Sequence, residues 1–383
     1  MDKQLTAIEF TTHNLRLLTG YCNGDSIFVM QCLEGENLKI AQNGLPDKSE
    51  LNTSLMTLLN KAKSQLNLDA GPLIFLYPPI GFSTMEVSEN TPTASEDNRL
   101  AKSEYKSCYF RALKRVTPEK QNVYFAPYSF KVDSQVALDH FPLGTQTRSL
   151  EVDGDIHQID SFAYQHFQSV IDESGLKPYI EMVSPYAATQ FILLSYQHPS
   201  YLLLNLEHDY TMLSFVRNRR MVASTLLKND LQILLRSYAE TLGVTRERAE
   251  ELIRTFGFLP KFDFDYQTDE GFRLDLLSQT LFKAAIPMIK EVRNLADQQS
   301  VPNEVPILLS GTGSEIFGIE ACFNSSLHRE TSLFGKKVLG VPNSSFLPSL
   351  GAIRAGFYNY QQGTESYRRK QLDSELKAAK FDR

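Results

Sequence analysis

The sequence contains no tryptophan, only four cysteines and no excess of positive charge. Without CxxC spacing, neither a disulfide framework nor a zinc site is indicated for Cys22, Cys32, Cys108 and Cys322. A formal net charge of −6 is atypical of proteins that bind nucleic acid non-specifically, so no nucleic-acid partner is expected. Neither a run of 18 apolar residues nor the apolar segment of a signal peptide occurs. We therefore expect a soluble intracellular protein, long enough at 383 residues for about two to three domains.

The most informative motif lies at 305–318, which reads VPILLSGTGSEIFG. An apolar run, a glycine turn and a helical pattern opening at Ser314 predict a buried strand, a turn and a helix. Such a turn lets backbone amides approach an anionic ligand at a helix N-terminus. Gly311, Thr312 and Gly313, with Ser314, are therefore candidates for binding a nucleotide. The alternative is that the glycines only permit a tight turn.

Two strand-turn-strand segments, at 6–18 and 201–217, open the two halves of the chain and suggest a duplicated α/β fold. The polar stretch 83–106 predicts an exposed loop or the edge of an inserted element. Apolar spacing predicts further helices over 49–66, 162–173, 185–196, 348–360, a helical block over 230–299 and a helix ending near 321.

A central segment carries a more specific pattern, whose parts are Val132-Asp133, Pro142-Leu143-Gly144, Leu150-Glu151 and His157. In order and spacing it resembles FtsA, the bacterial cell-division member of the actin and sugar-kinase superfamily. The resemblance extends weakly over roughly Ala7 to Phe357. It implies an actin-like (ribonuclease-H-like, duplicated) two-lobed α/β fold with an FtsA-type inserted subdomain.

The family's organisation implies eight segments. Lobe 1 would comprise 1–80, 161–200 and a closing helix at 344–362, interrupted by the inserted subdomain at 81–160. Lobe 2 would comprise 201–235, a helical subdomain at 236–304 and a return at 305–343. The basic tail 363–383 stands where the family has an amphipathic membrane helix, and its small apolar face predicts only weak peripheral membrane contact.

The superfamily holds nucleotide phosphates between two hairpins built on Asp-x-Gly followed by Thr or Ser. In the first hairpin Glu9 keeps the acid that would orient hydrated magnesium, Thr11 replaces the glycine, and Thr12 follows. In the second, Asn205 replaces the aspartate and Thr211 remains.

All three glycines of the second hairpin are missing, and Glu207 would place negative charge beside the phosphates. The lysine expected in the helix 249–257 aligns with Ile253. The resemblance thus implies ATP and magnesium as cofactors, whereas these departures predict weak or lost ATP binding. No catalytic residue, no protein metal site and, at most, a slow residual ATPase are expected.

The function that the resemblance implies is that of an adaptor linking FtsZ filaments to the inner face of the cell membrane at the division site. The FtsZ C-terminal tail would bind the helical block at 236–300. The insert would contact other copies of the chain, in filaments or dimers, or other division proteins. One alternative is a pilus-assembly protein resembling PilM, which binds a membrane partner's peptide. A sugar or acetate kinase is another, but the second hairpin lacks the catalytic Asp and phosphate glycines that it needs.

Overall fold

A computed structural model describes residues 4–24, 26–66, 71–133, 137–138, 140–208, 210–259, 266–334 and 339–362. The tail at 363–383, with its predicted membrane contact, lies outside these residues. The chain divides into two compact units, the first comprising the residues up to Leu194 and from Pro348 onward, the second Ser195–Leu347. Among the described residues no helix has the length and apolar character needed to cross a membrane.

The first unit is a mixture of strands and helices. In chain order its elements are β1 (Leu5–Phe10), β2 (Leu15–Asn23), β3 (Ser26–Glu34), α1 (Lys48–Leu66), β4 (Leu73–Tyr77), β5 (Ser83–Pro92), α2 (Lys102–Leu113), β6 (Lys120–Val132), β7 (Ala137–Leu138), β8 (Ser149–Asp160), α3 (Ser161–Glu173), β9 (Pro178–Val183) and α4 (Ser184–Ser195).

The second unit is also a mixture of strands and helices. Its elements are β10 (Tyr201–Leu206), β11 (Thr211–Arg217), β12 (Arg220–Leu226), α5 (Leu231–Leu242), α6 (Arg246–Phe256), α7 (Leu274–Gln298), β13 (Ile307–Ser310), α8 (Ile319–Leu327) and β14 (Thr331–Leu333). Helix α9 (Leu347–Gln362) then returns the chain to the first unit.

Each unit is built on a five-stranded sheet of the same topology. The strand orders are β3-β2-β1-β4-β9 and β12-β11-β10-β13-β14. In both, the first three strands form an antiparallel meander, and the other two add in parallel. Strands β1, β4, β10 and β13 are buried along their whole length, as expected of apolar strands covered on both faces. The predicted duplication of the fold is confirmed.

The region 83–160 forms a separate four-stranded sheet of order β5-β8-β6-β7 that packs against helix α2. Tyr105 of α2 contacts Phe130 of β6, with ring centroids 5.5 Å apart, inside its core. Of the two alternatives for 83–106, the exposed loop is wrong for most of the stretch, since β5 pairs along its length with β8 and α2 begins at Lys102. The edge of an inserted element agrees with the structure, because β5 is the edge strand of this sheet. Only Val87 and Thr91 of β5 are buried, so its polar composition concealed the strand. The finer eight-segment subdivision stays a prediction.

A second correction concerns the helix expected to open at Ser314. The structure has a short 3-10 turn at Thr312–Glu315, and α8 begins only at Ile319. The chain is interrupted because the amide of Phe258 donates to the carbonyl of Phe317, and Gly318 follows with a φ of 74°. A Cβ at Gly318 would lie 2.1 Å from the carbonyl oxygen of Phe258, so only glycine permits this close crossing of two backbone segments.

Candidate functional site

The glycine turn of the second unit packs against the end of strand β10. Strands β10 and β13 are parallel, with Asn205 opposite Ser310, so the turn after β13 lies beside the hairpin after β10. Gly311 has a φ of 84°, and a Cβ there would lie 2.7 Å from both Asn205 Oδ1 and the Leu206 carbonyl oxygen. Thr312 Oγ1 donates to the same Leu206 carbonyl at 3.4 Å. The predicted residues Asn205, Gly311 and Thr312 are thus brought together.

Two buried serines hold the turn from the other side. Ser314 Oγ donates to the Gly311 carbonyl oxygen at 2.7 Å, and Ser344 Oγ donates to the same atom at 2.9 Å. The two hydroxyl oxygens lie 2.9 Å apart. Ser314 was predicted to bind a nucleotide, and in the structure its hydroxyl stabilises the turn. Ser344 was missed, because it lies 30 residues away along the chain and has no local sequence signal.

A pocket of about 260 Å³ opens between this turn, α5 and α6. It is lined by His208, Leu231, Leu235, Glu250, Ile253, Arg254, Thr312, Gly313, Glu315 and Ile316. Pockets that bury a drug-sized ligand measure roughly 300–1,000 Å³. The volume is therefore suited to a small flat group such as a purine base. Gly313 packs closely on strand β10, because a Cβ there would lie 2.9 Å from Leu206 Cβ.

A polar cluster ties the second hairpin to the helices that form this pocket. Arg246 Nε donates to Glu250 Oε1 at 3.2 Å, and its guanidinium also contacts His208 Nε2 at 3.3 Å. Arg246 and the His208 carbonyl are further joined through the side chain of Gln232. The sequence did not indicate Arg246 and Gln232, since their meeting depends on the packing of α5 against α6.

The second hairpin uses its own polar groups to hold the fold. Asn205 Nδ2 donates to Tyr210 Oη at 3.1 Å, and Thr211 Oγ1 accepts the amide of Leu231 at 3.2 Å near the start of α5. Glu207 donates its amide to the Tyr210 carbonyl at 2.9 Å, and its side chain is only 3% exposed. A buried carboxylate repels a phosphate strongly, because the surroundings screen charge poorly.

The first hairpin belongs to the other unit and joins β1 to β2. Thr11, which is 5% exposed, fills the turn with its own hydroxyl. Its Oγ1 accepts the amides of His13 at 3.2 Å and Asn14 at 2.9 Å and donates to Asn14 Oδ1 at 2.8 Å. Thr12 is half-buried in the same turn. The backbone donors that glycine would leave open to a phosphate are therefore already bonded.

The acid of the first hairpin is also engaged within the fold. Glu9 is buried, and its Oε2 lies 3.7 Å from Nη1 of Arg16, a guanidinium only 1% exposed. A carboxylate neutralised by a buried arginine is poorly suited to orienting a hydrated magnesium ion. No group of three His, Cys, Asp or Glu side chains that could hold a metal ion occurs in the described part of the chain.

These contacts test how well each unit suits ATP. In the second unit, the pocket beside Gly313 offers the apolar side chains of Leu231, Leu235, Ile253 and Ile316 to a base, beside five polar or charged lining residues. Neither hairpin, taken within its own unit, suits a phosphate. In the first unit the Thr11 hydroxyl accepts the amides of its turn, and in the second the acidic side chain of Glu207 is buried.

No family model and no curated protein matches the sequence. Among solved structures, the chain is similar to the PilM-PilN type IV pilus biogenesis complex, with a TM-score of 0.58 and 15% identity over 92% of this chain and 98% of that one. It is also similar to the ethanolamine utilization protein EutJ from Carboxydothermus hydrogenoformans, with a TM-score of 0.55 and 10% identity over 92% of this chain and 89% of that one.

A third similar structure is MreB 5 of Spiroplasma citri bound to AMPPNP, with a TM-score of 0.52 and 10% identity over 98% of this chain and 99% of that one. At such identities the likeness shows the fold alone. The protein has an actin-like fold, which confirms the predicted actin-like α/β fold class.

Proposed function

We propose that this protein is an assembly adaptor of the FtsA type, which links FtsZ filaments to the cytoplasmic membrane and acts by binding proteins rather than by turning over ATP. The observation that carries this proposal is the first hairpin, whose amides are bonded to the Thr11 hydroxyl. In such a hairpin the amides that would contact a phosphate donate to the Thr11 hydroxyl instead. The surfaces that an actin-like fold offers for assembly do not depend on these amides. Weak or lost ATP binding follows.

The choice of the FtsA type rests on the sequence resemblance, and residues that carry this resemblance hold the inserted region together. Asp133, at a φ of 46°, accepts the amides of Arg148 at 2.8 Å and Ser149 at 3.1 Å and so joins the ends of β6 and β8. His157 of β8 is buried against Tyr186, with ring centroids 4.1 Å apart. The insert would bind other copies of the chain or later division proteins.

The helical block α5–α7 would receive the acidic FtsZ tail, and Arg254 at the pocket mouth is an exposed basic group suited to it. In a co-pelleting assay with FtsZ filaments at low and moderate salt, we expect the protein to be retained. Retention should be lost with FtsZ lacking its C-terminal tail, and should weaken for Arg254→Glu but not for Lys61→Glu, a matched reversal on α1. Absence of retention at either salt would contradict the proposal.

The second candidate is a PilM-like role in pilus assembly, favoured by the similarity to PilM in its complex with PilN. In that case the protein would bind a peptide of a membrane partner instead of FtsZ. A pull-down that compares FtsZ with PilN from the same organism separates the two roles. Retention of PilN alone would replace the first proposal by the second.

Nucleotide use is tested separately. Titration of a fluorescent ATP analogue with magnesium should show weak or no binding, because both hairpins are filled by the chain's own groups. Micromolar affinity would show that Thr11 and Glu207 do not obstruct the phosphates.

A further inference from the structure

A second cavity of the second unit lies at the opposite end of the sheet from the glycine turn. It has a volume of about 290 Å³ and opens where β10 and β13 begin, beside the C-terminal ends of α7 and α8. We call it the arginine cavity. It is lined by Leu202, Val292, Arg293, Ala296, Asp297, Asn303, Ile307, Leu327, His328 and Arg329.

The lining separates into an apolar floor and a polar rim. Five of the side chains are buried and apolar, namely Leu202, Val292, Ala296, Ile307 and Leu327. Arg293, Asp297, Asn303 and His328 are exposed around the opening. A ligand that fits this arrangement has an aliphatic part and one polar end.

Arg329 is the unusual member of the lining, because it is charged and only 6% exposed. Its guanidinium donates to the carbonyl oxygens of Val301 at 2.8 Å, Val305 at 3.3 Å and Pro302. Among the described residues no carboxylate forms an ion pair with it. Carbonyl oxygens satisfy hydrogen bonds but do not neutralise a charge, and a buried charge normally has a counter-ion.

The charges around Arg329 leave this positive charge only partly compensated. Burial lowers the pKa of the Arg329 guanidinium, and the negative charges of Asp297 and Glu304 oppose that shift only in part. Arg293, whose guanidinium also donates to the Ser326 carbonyl, adds a second positive charge to the lining. Counted over Arg293, Arg329 and Asp297, the lining carries an excess of one positive charge, which Glu304 outside the lining reduces.

We propose that the arginine cavity binds an aliphatic monocarboxylate, either free or as the C-terminal carboxylate of a peptide with an apolar last residue. The carboxylate lies near Arg293 and Arg329, whose planar guanidiniums match its geometry, and the aliphatic part lies on the apolar floor. A phosphate dianion fits less well, because Asp297 lines the same cavity and one excess positive charge cannot neutralise it.

The test is calorimetric titration of the full chain with N-acetyl-leucine at constant ionic strength, with N-acetyl-leucinamide as the uncharged control. The acid should bind saturably, and the amide about tenfold or more weakly, because it lacks the charged hydrogen-bond acceptor. A second pair of probes, a short peptide ending in leucine with a free or an amidated terminus, distinguishes a peptide ligand from a free one. Inorganic phosphate should compete less well than acetate.

Three variants of α7 test the charges of the lining, and one of them is a matched control. Arg293→Gln should weaken binding of N-acetyl-leucine about two- to fivefold, as expected for an exposed charge. Asp297→Asn should strengthen it, since a repelling carboxylate is removed, and Lys290→Gln, which changes a charge outside the lining, should leave it unchanged. Equal binding of acid and amide would overturn the proposal, and so would equal effects of Arg293→Gln and Lys290→Gln or tighter binding of phosphate than of acetate.

Discussion

Replacing Thr11 by valine tests whether the first hairpin is held by its own hydroxyl. Valine has nearly the same shape as threonine but no hydrogen-bonding group. The change therefore removes the acceptor for the amides of His13 and Asn14 and the donor to Asn14 Oδ1. The backbone bond from the Thr11 amide to the Asn14 carbonyl, 3.1 Å long, is untouched.

The cost follows from the burial of each group. Asn14 is buried, and leaving its amide without an acceptor costs about 1–3 kcal/mol, to which the lost bond to its side chain adds about 0.5–1.5 kcal/mol. His13 is half-buried, so water can replace its lost acceptor. We expect the free energy of unfolding of the first unit to fall by about 2–4 kcal/mol, a roughly 30- to 900-fold change in the unfolding equilibrium.

Chemical denaturation combined with hydrogen exchange of the β1 and β2 amides measures this loss in the unit concerned. Thr11→Ser is the matched control, because it keeps the hydroxyl and loses one methyl group, at about 1 kcal/mol. If Thr11→Val and Thr11→Ser lower protection equally, the hydroxyl does not hold the turn, and the account of why phosphate is excluded fails with it.

Two further predictions concern His157 and Gly318. Burial lowers the pKa of His157 to about 3 from its usual 6.5, so the folded protein keeps the ring neutral while the unfolded chain takes up a proton. The free energy of unfolding should therefore fall as the pH drops from about 6.5 towards 3, by about 2 kcal/mol at pH 5, and His157→Phe should remove that share when denaturation is compared at pH 7 and pH 5. An unchanged pH dependence would contradict this. Gly318→Ala should destabilise the second unit by about 2–4 kcal/mol, through strain and a clash with the Phe258 carbonyl. Gly271→Ala, with a φ of 83° and open space around it, should cost only the strain of about 1–2 kcal/mol, so equal losses in thermal denaturation would show that the close crossing is unimportant.

Much of the fold could be predicted from apolar spacing. The helix predicted over 49–66 is Lys48–Leu66, and the one predicted over 348–360 is Leu347–Gln362, because their apolar residues recur at helical intervals. Strand β5 escaped prediction because tertiary pairing with β8, rather than its own composition, makes it a strand.

The position of the candidate site could be predicted from the sequence, but the hydrogen bonds made within it could not. The sequence located the glycine turn and both hairpins, since strands, turns and glycines have local signals. That the Thr11 hydroxyl takes the amides of its own turn depends on turn geometry, and the meeting of Ser314 with Ser344 depends on contacts between distant segments. Neither of these contacts can be recognised from residue type or from spacing along the chain.

The presence of glycine at Gly311 and Gly313 has a structural explanation that requires no ligand. At both positions a Cβ would come within 3 Å of Leu206 atoms, so a larger residue would push the turn off strand β10 whether or not a nucleotide binds. At the tip of the first hairpin, Thr11 supplies the hydrogen bonds that glycine would leave open. An intact glycine turn is therefore weak support for ATP binding in an actin-like fold, and the state of the hairpin amides is the stronger criterion.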